Sequence, residues 1–105
     1  MKIAITSTGN SLKAKLDNHF GRCSFFVFYD TVTSGMEFFP NPYKELKEGA
    51  GAATVELIAS RGVGKIVSGE LGIKVKPLLD CKKIQMIVLR NNEKTIQEII
   101  SLLNH

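Results

Sequence analysis

KIVSGELGIKVKPLLDCKKIQMIVL, residues 65–89, decides the fold class. Lys65-Ile66-Val67-Ser68 reads as a short strand and Gly69-Glu70-Leu71-Gly72 as a turn. Ile73 to Lys82 reads as a helix, with Pro77 accommodated in the first turn or at a kink. Ile84 to Leu89 is an apolar strand. Two strands joined through a helix form a parallel crossover, right-handed by the usual chirality. The same alternation extends outward. Upstream, Gly49-Ala50-Gly51 leads into a helix over Ala52 to Arg61, stopped by Gly62. Downstream, Thr95 to Leu103 places Ile96, Ile99, Ile100 and Leu103 on one helical face, and Asn92 suits an N-cap. Toward the N-terminus, Ile3-Ala4-Ile5 reads as a buried strand and Ser7 to Asp17 as a loop. Ser24 to Tyr29 and Met36 to Phe39 form an aromatic hairpin ended by Pro40-Asn41-Pro42. The order is β, β, β, α, β, α, β, α. It predicts an α/β domain with a mixed five-stranded sheet flanked by helices.

A chain of 105 residues holds one domain, 1–105, and one core. Its net charge of +4 is modest. Lysines and arginines are scattered, with no basic run interleaved with aromatics, so nucleic acid is not an expected partner. No apolar run approaches the roughly 20 residues of a membrane span, and no signal peptide is visible. The expectation is a cytoplasmic protein with free thiols at Cys23 and Cys81.

His19-Phe20-Gly21-Arg22-Cys23 concentrates chemistry in one stretch. It carries one of two histidines, the other being the terminal His105, and one of two cysteines. Ligands of open α/β sheets sit beyond the carboxyl ends of the parallel strands. The loop with His19 to Cys23, the Gly69–Gly72 turn and the helix beginning near Gly51 can meet there. Helix N-termini favour anions. Arg22 beside Cys23 is expected to favour the thiolate, and imidazole and thiolate both suit transition metals and metal–sulfur clusters. Cys81 reads as a small buried hydrophobe. Two ligands do not complete a structural zinc site, but they are compatible with an open site gripping a preformed cluster.

His19-Phe20-Gly21-Arg22-Cys23 followed by Phe25-Phe26 resembles the corresponding element of the dinitrogenase iron–molybdenum cofactor biosynthesis family. Asn41-Pro42, Gly49-Ala50-Gly51, Gly62-Val63 and Gly69-x-x-Gly72 resemble it in order and spacing over essentially the entire chain. The resemblance implies a ribonuclease-H-like fold and the binding or carriage of iron–sulfur or molybdenum-containing clusters. It implies His19 and Cys23 as metal ligands and Arg22 offsetting cluster charge. The backbones of Gly21, Gly49, Gly51, Gly69 and Gly72 would then line the pocket. Donor and acceptor proteins for the cluster are the implied partners, and a homodimer is compatible with a shared ligand set. Ile73-Lys74-Val75-Lys76-Pro77 and Cys81-Lys82-Lys83-Ile84 depart from the family pattern.

Two other function classes compete. An enzyme could use Cys23 as nucleophile and His19 as base, although no orienting group is evident. A two-metal nuclease needs converging carboxylates, and Ile3-Ala4-Ile5 supplies none. An interaction module could use the aromatics Phe25, Phe26, Phe28, Phe38 and Phe39, unless these pack under helices.

Overall fold

The structure, a computed structural model, describes residues 1–90 and 93–104. Its elements run β1 (Lys2–Ser7), β2 (Phe25–Asp30), β3 (Met36–Pro40), α1 (Ala50–Ser60), β4 (Val63–Ser68), α2 (Val75–Cys81), β5 (Gln85–Val88) and α3 (Ile96–Leu103). The order expected from hydrophobic patterning is the order observed. The five strands lie as β3-β2-β1-β4-β5. β1 pairs antiparallel with β2 and parallel with β4, β2 pairs antiparallel with β3, and β4 pairs parallel with β5. The sheet is therefore mixed, with helices on both faces.

Alternation along the strands divides the core in two. Ala4, Phe26, Phe28 and Ile66 face the side covered by Val55 and Ile58 of α1 and Leu79 of α2. Ile3, Ile5, Val27, Tyr29 and Val67 face Ile96, Ile99 and Ile100 of α3. Central strands covered on both faces read as unbroken apolar runs, as Ile3-Ala4-Ile5 of β1 does; in β4 the run is only Ile66-Val67, between Lys65 and Ser68. The aromatics of the hairpin pack mainly inward, Phe26 and Phe28 being buried. The guanidinium of Arg61 stacks over both the buried Phe28 ring, 4.6 Å from its centroid, and the partly exposed Phe39 ring, 4.9 Å from its centroid. Its Nη2 also pairs with Glu37. The hairpin thus offers little open aromatic surface.

Element ends differ from expectation in instructive ways. α1 begins at Ala50, so Gly51 lies inside its first turn and does not lead into it. Pro77 is the third residue of α2, where its missing N–H removes no intrahelical bond. Asn92 lies outside the described residues. The N-cap of α3 is Thr95, whose hydroxyl accepts from the Glu98 backbone N–H while the Glu98 carboxylate accepts from the Thr95 N–H, a reciprocal capping box. That carboxyl is held below its ordinary range by the Thr95 N–H and by the Thr95 hydroxyl, which also donates to Oε1 at 3.1 Å.

The strand registers bring four chain segments to one end of the sheet. Ser7 lies opposite Phe25, and Phe25 opposite Pro40. Ile5 lies opposite Val67, one residue before the end of β4. The loop after β1, the turn after β4, the strap from β3 to α1 and the N-terminus of α1 therefore share that end.

Replacing Thr95 by Ala should cost about 1 kcal/mol of stability, the usual worth of an N-cap. Urea unfolding of the variant checks this, and an unchanged midpoint would show that the box contributes nothing.

Candidate functional site: a pocket at the carboxyl end of the sheet

Main-chain bonds fix the loop after β1. The Asp17 N–H donates to the Thr6 carbonyl at 2.9 Å, and its own carbonyl accepts from the Gly69 N–H at 3.1 Å. The buried Thr6 hydroxyl donates to the same Asp17 carbonyl at 2.8 Å. Beside it, the Ser68 hydroxyl donates to the Glu70 carbonyl at 2.9 Å. Gly69 allows this approach: a Cβ there would fall 2.2 Å from Asn18 Oδ1 and 2.7 Å from Asn18 Cα. Gly69 therefore joins the two loops and lies off the pocket wall, contrary to the expectation that it lines it.

From this anchor the chain runs along the wall of a cavity of about 670 Å³. The structure brings His19, Gly21, Arg22, Gly49, Gly51 and Gly72 together there, with Lys47, Glu48, Glu70 and Lys74. Gly21 packs against the first turn of α1; a Cβ on it would lie 3.0 Å from the Gly51 nitrogen. Gly49 is the N-cap of α1 at φ +75°, a left-handed conformation that suits glycine. Among the described residues no side chain caps this helix, and its first turn holds no acidic residue. Its leading N–H groups thus give the wall a partial positive charge. Arg22, Lys47 and Lys74 outnumber Glu48 and Glu70, so the wall as a whole favours an anion.

His19 is an accessible nitrogen donor on this wall. Its side chain is 71% exposed, and Nδ1 sits 3.1 Å from Oδ1 of Asp17, which is 13% exposed. The same Oδ1 accepts the His19 backbone N–H at 2.8 Å. A proton on Nδ1 directed at this carboxylate leaves Nε2 with its lone pair outward, the arrangement that commonly prepares a metal-ligating imidazole. Sequence reading missed Asp17 as the orienting group. The signal was present in Asp17-Asn18-His19, because an aspartate readily accepts the N–H two residues on.

Cys23 corrects the expected ligand pair. Its side chain has 0% exposure and packs with Phe20, Phe26 and Val55 in the core under α1 and α2. It is absent from the cavity wall. Its Sγ lies 3.4 Å from the Phe20 carbonyl, within reach of a thiol donor. Burial, and next the Asp17 charge, push the thiol up from 9.0 to about 12; backbone N–H groups of Cys23 and Ser7 and the Asn41 amide oppose this incompletely. Arg22 does not supply a thiolate. Its Nη1 and Nη2 donate to the carbonyls of Lys44 and Lys47, at 3.0 and 3.3 Å. Neighbours in sequence here face opposite ways, the cation outward and the sulfur inward. Cys81, read from the sequence as a small buried hydrophobe, is the exposed cysteine.

Asn41 explains its own place in the pattern. This buried amide donates from Nδ2 to the carbonyls of Gly21 and Cys23 at 2.9 and 3.0 Å. Its Oδ1 accepts from the Tyr43 N–H. It clamps the loop after β1 to the strap after β3. Among the described residues, no group of three or more histidines, cysteines and carboxylates forms a metal-ligand set. No helix among them is long and apolar enough to cross a membrane.

The model of the family described as dinitrogenase iron-molybdenum cofactor matches residues 1–104. An uncharacterized protein of Methanocaldococcus jannaschii is 30% identical, the match covering 97% of this chain and 84% of that protein. The apo form of the orange protein from Desulfovibrio gigas superposes with a TM-score of 0.88 at 27% identity, over 97% of this chain and 85% of that one. A Thermotoga protein described as NifB and placed in the DUF35 family superposes at 0.81 and 25% identity, over 97% and 85%.

Because ionisation of Cys23 is suppressed only in the folded chain, its contribution to stability is complete below pH 9 and is lost as pH rises toward 12. The stability advantage of the native chain over Cys23→Ala should therefore shrink by on the order of 1 kcal/mol per pH unit in that window. Urea unfolding of both proteins at pH 8 and pH 10.5 measures it; a constant gap would mean that the thiol is not sealed.

Proposed function

The chain belongs to the dinitrogenase iron-molybdenum cofactor family, a family of cofactor carriers and not of catalysts, and from that premise we propose that it carries a preformed anionic metal–sulfur cluster in the pocket at the carboxyl end of its sheet. The observation that carries this reading is the wall itself. One oriented imidazole, His19, stands among cations and unpaired helix N–H groups. Such a wall offers an imidazole nitrogen to one metal and diffuse positive charge to the sulfide surface around it. His19 is the ligand; Arg22, Lys47 and Lys74 supply charge. Gly21, Gly49, Gly51 and Gly72 keep the backbone close to the guest, and Gly69 holds the floor. Cys23 supports the loop from inside the core.

An iron–sulfur cluster and a molybdenum-containing one both satisfy this chemistry. Donor and acceptor proteins of the cluster, in the cytoplasm, are the partners that such a carrier requires. The 3-2-1-4-5 strand order with an antiparallel β2 supports a ribonuclease-H-like description of the architecture. A homodimer sharing the ligand set between two copies is compatible with this reading. The nucleophile reading loses its support, since a thiol raised to about 12 is scarcely ionised at neutral pH.

The test is anaerobic loading with iron and sulfide or, separately, with tetrathiomolybdate, followed by desalting, metal analysis and absorption spectra. His19→Ala should weaken retention about tenfold, a typical loss for one ligand contact. Lys47→Gln and Lys74→Gln should each weaken it a few-fold and flatten its dependence on salt. Cys23→Ala should bind as the native chain does. A folded protein that retains neither metal, or a His19→Ala variant that binds normally, would sink the proposal; which metal stays identifies the cluster class.

A further inference from the structure

The sheet ends in two edge strands, β3 and β5. An edge offers a row of main-chain donors and acceptors to any other extended chain, and proteins usually blunt it with charge or proline. β3 is blunted: it carries Glu37, paired with Arg61, and ends on Pro40. β5, Gln85-Met86-Ile87-Val88, has neither charge nor proline. Successive main-chain groups of a strand point to opposite edges. The Leu89 N–H donates to the Ser68 carbonyl of β4 at 2.9 Å, so those of Met86 and Val88 point away from β4. Among the described residues no loop or turn supplies them a main-chain partner. By Lys94 the chain has crossed toward β1, where the Lys94 carbonyl accepts from the Leu16 N–H at 3.1 Å. Val88 is an apolar side chain left 37% exposed on this open strand.

Beside the edge lies a groove of about 480 Å³ that Lys65, Asp80 and Lys83 line together with Ile84 to Ile87. Two cations there face one carboxylate. Among the described residues no ion pair engages Lys65 or Lys83, whereas Lys82 is taken by Glu56. Lys83 holds a left-handed backbone at φ 59°, which a glycine would adopt with less strain. Such strain persists where a side chain is needed. Past the other end of β5 stands the exposed Arg90. An uncharged strand between cationic ends calls for a complementary one. A second copy of this chain is a poor fit: two β5 strands paired antiparallel would bring Lys83 of each toward Arg90 of the other, like charge against like. We propose that β5 is a docking edge, to which an extended segment of a partner protein, apolar in the middle and acidic at its ends, adds as a further strand. Main-chain bonds at Met86 and Val88 hold the segment, and Lys65 and Lys83 select its acidic end. This groove and the pocket at the carboxyl end of the sheet share no residue. A partner on β5 therefore leaves the pocket open, and the inference does not rest on the carrier reading.

The probe is a synthetic peptide of alternating valine and threonine with two glutamates at each end, whose charges oppose its self-pairing. Residue-resolved hydrogen exchange of the isotope-labelled chain reads the edge. The peptide should slow the Met86 and Val88 amides about two- to tenfold, the worth of one main-chain hydrogen bond each, and leave the amides of Gly49 to Gly51 unchanged. Val88→Pro removes an outward donor and spares the inward ones; an edge strand tolerates it. It should lose most of the peptide affinity while keeping the native urea midpoint. Lys83→Glu leaves the main chain of β5 intact. It should weaken the glutamate-ended peptide a few-fold and strengthen a lysine-ended one. Met86 and Val88 exchange that is unchanged at the highest soluble peptide concentration would overturn the proposal. Slowing confined to the pocket amides, or an unaltered preference in Lys83→Glu, would do the same. Slowing of the two edge amides as the concentration of the chain alone is raised would give β5 to a second copy and overturn the partner.

Discussion

The backbone of Asp17 is the joint on which the site depends. Its N–H and carbonyl are bonded to β1 and to the residue after β4, and the Thr6 hydroxyl adds a third bond from the core. These groups are close because β1 and β4 are neighbouring parallel strands with both carboxyl ends at one edge of the sheet. Once Asp17 is fixed, its carboxylate lies where it receives both the backbone N–H and Nδ1 of His19. The imidazole is thus oriented by the sheet through two short steps. An exposed histidine with several accessible rotamers would lose that freedom on binding a metal; one already held loses less.

Architecture was legible in this sequence because its elements obey strong local rules. The continuous apolar run Ile3-Ala4-Ile5 of β1 reflects burial on both faces, and the 3.6-residue spacing of Ile96, Ile99, Ile100 and Leu103 reflects burial on one. Even Pro77 fell where its missing donor costs nothing. The site was legible only in outline. That the loop after β1 and the N-terminus of α1 share one end follows from topology, and the pocket wall includes most residues singled out there. Which way each side chain turns does not follow from topology. Arg22 and Cys23 are adjacent in a loop without a period, so no alternation rule assigns their faces. The structure assigns them by packing: the sulfur fills a space between Phe20 and the core, and the guanidinium, costly to bury, takes the surface. The same ranking of costs explains Asn41. An amide is buried there because it satisfies two carbonyls that no secondary structure serves.

The glycines divide along similar lines. A shared sequence pattern suggested a shared role, lining the pocket, but different constraints hold them. Gly49 answers to a dihedral angle and Gly69 to the volume of Asn18. At Gly72 a Cβ would meet nothing nearer than Val75 Cγ2 at 3.8 Å. This last position has no internal requirement for glycine, so the space beside it belongs to the cavity.

A carrier has to release what it holds, and the wall is suited to that. A closed set of thiolates would grip a metal tightly, because each thiolate is an anionic ligand. Here the available thiol is removed from the wall and kept protonated. One imidazole and a diffuse positive field remain. Charge interactions of exposed lysines are weak individually and screened by salt, yet together they suit a large polarisable anion better than a small bare cation. In the proposed carrier, specificity would come from size and charge, and directionality from the metal–nitrogen bond at His19. A receiving protein would then have to replace that bond and neutralise the field. On this argument the burial of Cys23 is a positive feature of the design, since a second soft ligand in the pocket would slow the transfer that a carrier exists to make.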